Sequence, residues 1–185
     1  MEKERKQQIL KAAAKRFSRH GLNKTTLDEI ARDLRIGKAT IYHYFDTKEE
    51  LFFKTIEWEI ELYIEDLKTF FDNEQLSLKE KLQEYFMSKN SIFSKYKLIY
   101  EVLFYTMKEE VFEKEISLVK ILFEKETEFL KQYLPGKKEI QTESAQILVI
   151  RSWGEMFSLK ILSAIDPDNI IPKQNLLQYI ETFCS

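Results

Sequence analysis

Cysteine is almost missing from this chain. Cys184 stands alone, so no disulfide can form within it and a cross-linked scaffold is excluded. Proline and glycine are nearly as scarce, three and four in 185 residues. Strictly alternating apolar and polar runs are missing too. A β-rich fold needs both the turn residues and the alternation, so the composition predicts an all-α protein. Histidine occurs only at positions 20 and 43, which leaves no set spaced to hold a metal and no thiol–imidazole pair. No glycine-rich phosphate loop occurs either. An enzyme, a metal and an organic cofactor are therefore not expected. No apolar run approaches the roughly 20 residues that cross a bilayer, and Met1-Glu2-Lys3-Glu4-Arg5-Lys6 reads as the lead into an amphipathic helix rather than a secretion signal. The expectation is a cytoplasmic globule with no membrane partner.

Net charge also looks unremarkable at −2, a value that by itself suggests no nucleic acid. Its distribution is informative. Residues 1–48 carry twelve Lys or Arg against six Asp or Glu, a net +6, which leaves −8 on residues 49–185. A basic head suited to phosphates and an acidic body that avoids them fit that asymmetry.

Helical periodicity with stop signals divides the chain into about nine helices. The first runs from about residue 3 to His20, with Ile9, Leu10, Ala13, Ala14 and Phe17 on one face and Gly21 at the position where a left-handed residue is cheapest. Thr26 with Glu29, Thr47 with Glu50 and Ser77 with Glu80 have the spacing of capping boxes, in which each end closes two orphan backbone amides. They open the second helix, a long fourth helix reaching about Asp72, and a fifth expected to continue to about Ser94. Between the first two boxes, Gly37 precedes a short third helix from Lys38 to Tyr44, with Ile41 and Phe45 inward. Further helices are expected over Leu98–Met107, Glu109–Leu134 and Glu139–Ile165, and a last one from Pro172 to Phe183.

The second and third segments have the length, the turn and the surface chemistry of a helix-turn-helix. In the third, Lys38 and Tyr42, with Ala39 and His43 beside them, are spaced i, i+4 and form an outward patch. Small Ala39 permits close approach to bases, and Thr40 offers a methyl and a hydroxyl to base edges. Tyr42, Tyr44, Lys48 and Thr26, the last at a helix N-terminus, can reach phosphates.

Residues 9–53 as a unit resemble the DNA-binding domain of the TetR family of bacterial transcriptional regulators. The resemblance rests on Ile9-Leu10-Lys11-Ala12-Ala13 with Phe17, then Gly21, Thr25-Thr26-Leu27 with Ile30-Ala31, then Lys38 to Phe45, and Lys48-Glu49-Glu50-Leu51. It implies a three-helix head (residues 1–47) joined by a long helix to a six-helix ligand-binding and dimerisation body (residues 48–185). It also implies contacts to a double-stranded operator from Thr26, Lys38, Ala39, Thr40, Tyr42, His43, Tyr44 and Lys48. Two positions depart from the family pattern. Arg35 stands where the turn often has Gly, so that turn is made either without a positive φ or under strain. Gly37 stands where Ser or Thr often caps the recognition helix.

The body holds most of the 14 Phe and 9 Tyr and both Trp. Phe86, Phe93, Tyr100, Phe104, Met107, Phe123, Trp153, Met156 and Phe157 are candidate walls for an apolar or aromatic effector, with plain core packing the competing explanation for each. Glu101, a carboxylate within an apolar run, faces either a cationic ligand or solvent. The helix over 139–165 is apolar nearly all round and needs cover on two sides. With Gly154 on it, and Leu176, Leu177, Ile180 and Phe183 on the last helix, the last two helices are the expected homodimer interface. The functional expectation is a repressor released from its operator by a small effector; the alternative is a helical interaction or ligand-binding module without sequence-specific DNA binding.

Overall fold

A computed structural model describes residues 2–106 and 113–165. Among these residues the chain is all helix: α1 (Glu2–Lys24), α2 (Leu27–Asp33), α3 (Lys38–Tyr42), α4 (Lys48–Phe71), α5 (Leu78–Ser88), α6 (Ile92–Lys95), α7 (Lys97–Tyr105), α8 (Glu113–Lys131) and α9 (Lys138–Ile165). The expected helix over 172–183 and the candidate Met107 lie outside the described residues.

Two capping boxes form as their spacing predicts, at Thr26/Glu29 and Ser77/Glu80. The third is displaced by one residue. The Glu50 amide donates to Thr47 Oγ1 at 3.0 Å, but the Glu50 carboxylate accepts from the amide of Asp46, at 2.6 Å, instead of that of Thr47. α1 overruns its expected end because a short helical stretch resumes beyond Gly21, whose φ of 72° and ψ of 173° interrupt it. The buried Thr25 hydroxyl closes this joint by donating to the Gly21 carbonyl.

The helix expected to run unbroken to Ser94 is interrupted. After α5 comes a 3-10 turn over Lys89–Ser91, and only then α6. Ser88, Ser91 and Ser94 each donate to the carbonyl three residues earlier, a spacing that suits the tighter helix and competes with regular α geometry. Lys89, in the turn, is drawn wholly inside.

The chain packs as two compact units. One comprises residues up to Tyr63 together with Tyr96–Ile121; the other comprises Ile64–Lys95 together with the described residues from Leu122 on. In the first, Ile9, Ala13 and Phe17 of α1, Ile30 of α2, Ile41 and Phe45 around α3, and Leu51 of α4 are all fully buried. Each of these side chains larger than Ala13 contributes about 1.5–3 kcal/mol by leaving water. Glu59 of α4 is buried here too, and its Oε2 accepts from the amides of Leu98 and Ile99 at 3.1 and 3.2 Å. It therefore caps α7 from another helix, where the N-cap residue Tyr96 supplies no side-chain bond.

The core of the second unit is aromatic. Phe71 lies 4.7 Å from Tyr133, 5.1 Å from Phe129 and 6.4 Å from Tyr85, measured between ring centroids. Beside them is a buried polar cluster. Glu126 Oε1 accepts from Lys89 Nζ and from the Tyr85 hydroxyl, and Oε2 accepts from Trp153 Nε1 at 2.6 Å. The Lys89 ammonium also sits 4.0 Å from the Trp153 ring and 4.5 Å from that of Tyr85. Burial pulls the Lys89 pKa down to about 8, against the opposing pull of Glu126.

Candidate nucleic-acid interface

The head is held by contacts that leave one face of α3 free. Arg16 of α1 forms a bidentate pair with Asp33 of α2, with Nε and Nη2 each 2.6 Å from a carboxylate oxygen. α2 ends in a Schellman motif: the Ile36 amide donates to the Ala31 carbonyl and the Arg35 amide to that of Arg32. That motif needs a left-handed residue at position 35, and Arg35 adopts it with φ 54°. The strained alternative is the one realised. Gly37 then caps α3 in extended geometry with no side-chain bond.

With Ile41 and Phe45 sealed inward, Lys38, Ala39, Tyr42 and His43 face solvent, and Thr40 and Tyr44 are half-buried. The His43 and Tyr44 rings meet edge to face at 5.0 Å, which fixes the end of the patch. This is the division of faces that the i, i+4 spacing predicts.

Three of the named residues are engaged with the protein itself. Lys38 Nζ donates to Asp28 Oδ2 at 2.8 Å, a bond that raises its pKa, and lies 6.0 Å from the Tyr42 ring. Lys48 Nζ donates to the Leu22 carbonyl at 2.9 Å, just beyond the Gly21 joint. Thr26 gives both its amide and its hydroxyl proton to Glu29 Oε2, at 2.9 and 2.8 Å. Those bonds hold the Glu29 carboxylate below its usual range. A phosphate reaching any of the three must compete with an internal partner. Asp28, Arg16 and Asp33 had no signal in the sequence beyond their charge; only the folded geometry pairs them. An open cleft of about 970 Å³ borders the same face, with Arg5, Gln8 and Lys11 of α1, Thr40 and Tyr44, and Trp58 of α4 on its walls.

Residues 9–55 match the model of the tetR family of bacterial regulatory proteins. By its head, the chain is similar to the TetR family. Two relatives are similar over short stretches of comparable length. The uncharacterized HTH-type transcriptional regulator YhgD of Bacillus subtilis is 49% identical over 49 residues, 26% of each chain. The negative transcriptional regulator of the icaADBC biofilm operon, IcaR, of Staphylococcus epidermidis is 40% identical over 52 residues, 28% of each. The chain thus matches only about a quarter of the length of these relatives. Over nearly the whole chain the fold is similar to that of Bacillus subtilis FadR, solved in complex with stearoyl-CoA. The TM-score is 0.61 at 16% identity, covering 96% of this chain and 94% of that one.

The candidate effector residues fall in both units. Tyr100, Glu101 and Phe104 belong to the first; Phe86, Phe93, Phe123, Trp153, Met156 and Phe157 belong to the second. Phe86, Trp153 and Met156 are buried, whereas Phe104 is exposed. Phe123 stacks on Trp153 at 6.4 Å and lines a groove of about 320 Å³ with Thr127, Val149 and Ile150. Glu101 is half-buried, with Lys97 Nζ 3.9 Å away, and lines a different cavity. Among the described residues no helix is long and apolar enough to cross a membrane, and no cluster of three metal-binding side chains occurs.

Proposed function

We propose that the chain is a homodimeric DNA-binding transcriptional regulator, a repressor that occludes a promoter until a small effector releases it. The observation that carries this reading is the exposed face of α3, Lys38-Ala39-Tyr42-His43, on a head whose helices are held together by a buried apolar core and the Arg16–Asp33 ion pair. Thr40, Tyr44, Thr26 and Lys48 flank that face and complete the proposed contacts. Residues 1–47 would act as the DNA-binding domain and 48–185 as the ligand-binding and dimerisation domain. Two α3 helices enter successive major grooves of a near-palindromic operator, with centres about 34–36 Å apart or somewhat more.

Dimerisation finds support on α9. Ile140, Ile147, Ile150 and Ile161 are exposed at spacings of seven, three and eleven residues, which keeps them on one seam. Gly154 lies on the same seam, with nothing within 4 Å of an added Cβ, so a partner helix can approach closely. The last helix of the expected interface lies outside the described residues. FadR is a protein of this fold that was solved with an acyl-CoA. An apolar or aromatic effector, bound among the body aromatics, is the corresponding proposal here. Such a ligand releases DNA only by binding the DNA-incompetent arrangement more tightly.

The test is the affinity of the purified protein and of Tyr42→Ala for genomic duplex fragments over a salt series. The expected result is selective retention of few fragments by the native protein, with the slope of log K against log salt set by about −0.9 per neutralised phosphate. Tyr42→Ala is expected to bind those fragments more weakly, with dimer and melting temperature unchanged. Unaltered affinity would remove Tyr42 from the contact set.

A further inference from the structure

A cavity of about 500 Å³ lies within the first unit, at the joint where Gly21 interrupts α1. Phe52 of α4, Glu101 and Tyr105 of α7 and Glu115 of α8 line it together with that joint. Its two carboxylates are poorly served. Glu115 Oε2 is buried without a hydrogen-bond partner, the one such side-chain atom among the described residues. Glu101 has Lys97 at 3.9 Å, beyond hydrogen-bond reach, because the Lys97 ammonium donates to the Ser18 carbonyl instead. Burial accordingly raises the Glu101 pKa, with Lys97 only partly opposing it.

The backbone at this joint independently attracts ammonium groups. Two of the protein's own, those of Lys97 and Lys48, already bind carbonyls of this segment, at Ser18 and Leu22. Carbonyls at a helix C-terminal end favour cations through their aligned dipoles. The other basic side chains on the lining, His20 and Lys24, are exposed and screened by solvent.

From this juxtaposition we infer that the cavity binds a small organic ammonium ion, one that keeps an N–H for Glu115 and carries an apolar body against Phe52. A buried acceptor without a donor selects a protonated primary or secondary amine over a quaternary one. The volume lies in the range of ordinary small-molecule sites, and aromatic walls add cation–π attraction. The position gives binding a consequence, since the joint leads through Thr25 and Thr26 straight into α2. This cavity takes Glu101 from the candidate effector residues but none of the aromatics proposed to line the effector site.

Calorimetric titration of the full chain, without DNA, tests the inference with phenethylamine, benzylamine and cadaverine at neutral pH, and with 2-phenylethanol as the uncharged counterpart of the first. Saturable binding of at least one amine, and not of the alcohol, is expected. Glu115→Gln should weaken it about tenfold to a hundredfold, as loss of a charged hydrogen-bond partner does. Glu113→Gln, an exposed carboxylate on the same helix, should leave it unchanged. No saturable binding of any amine at millimolar concentration overturns the inference, as do equal binding of the alcohol and equal losses in the two variants. Phe52→Leu serves as a second variant if Glu115→Gln does not fold. Because no operator is involved, failure here leaves the DNA-binding proposal standing, and failure of DNA binding leaves this one standing.

Discussion

Glu59 offers the sharpest test of the packing around α4 and α7. Its carboxyl group is buried, and burial lifts its pKa from 4.5 to about 7 even though the amides of Leu98 and Ile99 favour the ionised form. At about 1.4 kcal/mol per pKa unit, that rise corresponds to about 3 kcal/mol of preference for the protonated form in the folded state. The folded chain therefore holds this proton more tightly than the unfolded chain between about pH 4.5 and pH 7. The resulting stability is fully present below about pH 4.5 and is lost as pH rises through about 7. Glu59→Gln keeps an acceptor oxygen for both amides and cannot ionise. Urea unfolding of both proteins at several pH values should show near-equal stability at about pH 4.5 and an advantage of about 3 kcal/mol for the variant at about pH 8. A difference that does not change with pH, or one favouring Glu at high pH, would refute the reasoning. Glu59→Ala separates the cap from the charge: it strands two amides and should destabilise at every pH, by about 1–3 kcal/mol per stranded group.

Other perturbations reach the head and the second unit. Asp28→Asn frees Lys38 from an exposed ion pair of the kind worth about 0.2–1 kcal/mol, so duplex binding measured by fluorescence anisotropy should tighten up to about fivefold per protomer; unchanged affinity would mean that Lys38 keeps this partner on DNA. Arg35→Gly relieves a left-handed non-glycine residue and should raise stability by about 1 kcal/mol in thermal melts, whereas a loss would mean that the Arg35 side chain makes a compensating contact. Lys89→Met leaves Glu126 charged and buried without its cation, and denaturant unfolding should show a loss of about 3–5 kcal/mol. Adding Glu126→Gln should recover much of that loss, and a double variant no better than the single one would show that packing of the Lys89 stem is what matters.

Much of the head was legible because its determinants are local. Capping pairs such as Thr26/Glu29 act over three residues, Gly21 and Gly37 mark where helices end and begin, and the inward spacing of Ile41 and Phe45 fixes which face of α3 is left out. Arg35 could be flagged from sequence as a conflict with its turn, but only the backbone showed that the conflict is met by strain. The features that escaped the sequence are long-range pairings of charge. Glu59 with the start of α7, Lys89 with Glu126, Arg16 with Asp33 and Lys38 with Asp28 each join residues ten or more positions apart, and each residue alone reads as an ordinary polar surface position. The same limit applies to the unbroken helix expected through Ser94. Apolar periodicity continues across Lys89, but the inward turn there follows from a carboxylate 37 residues further on. The sequence could not separate the aromatic candidates Phe86 and Trp153, which pack, from Glu101, singled out as a carboxylate within an apolar run, which lines a cavity.

Hydroxyl-radical footprinting of the protein on a retained genomic fragment tests the central claim, that two copies of α3 are presented to one duplex by a symmetric pair of chains. Two protected patches on the same side of the duplex, related by an approximate dyad and about one helical turn or a little more apart, are expected. A single patch without a dyad, or no protection of any fragment at low ionic strength, would contradict it.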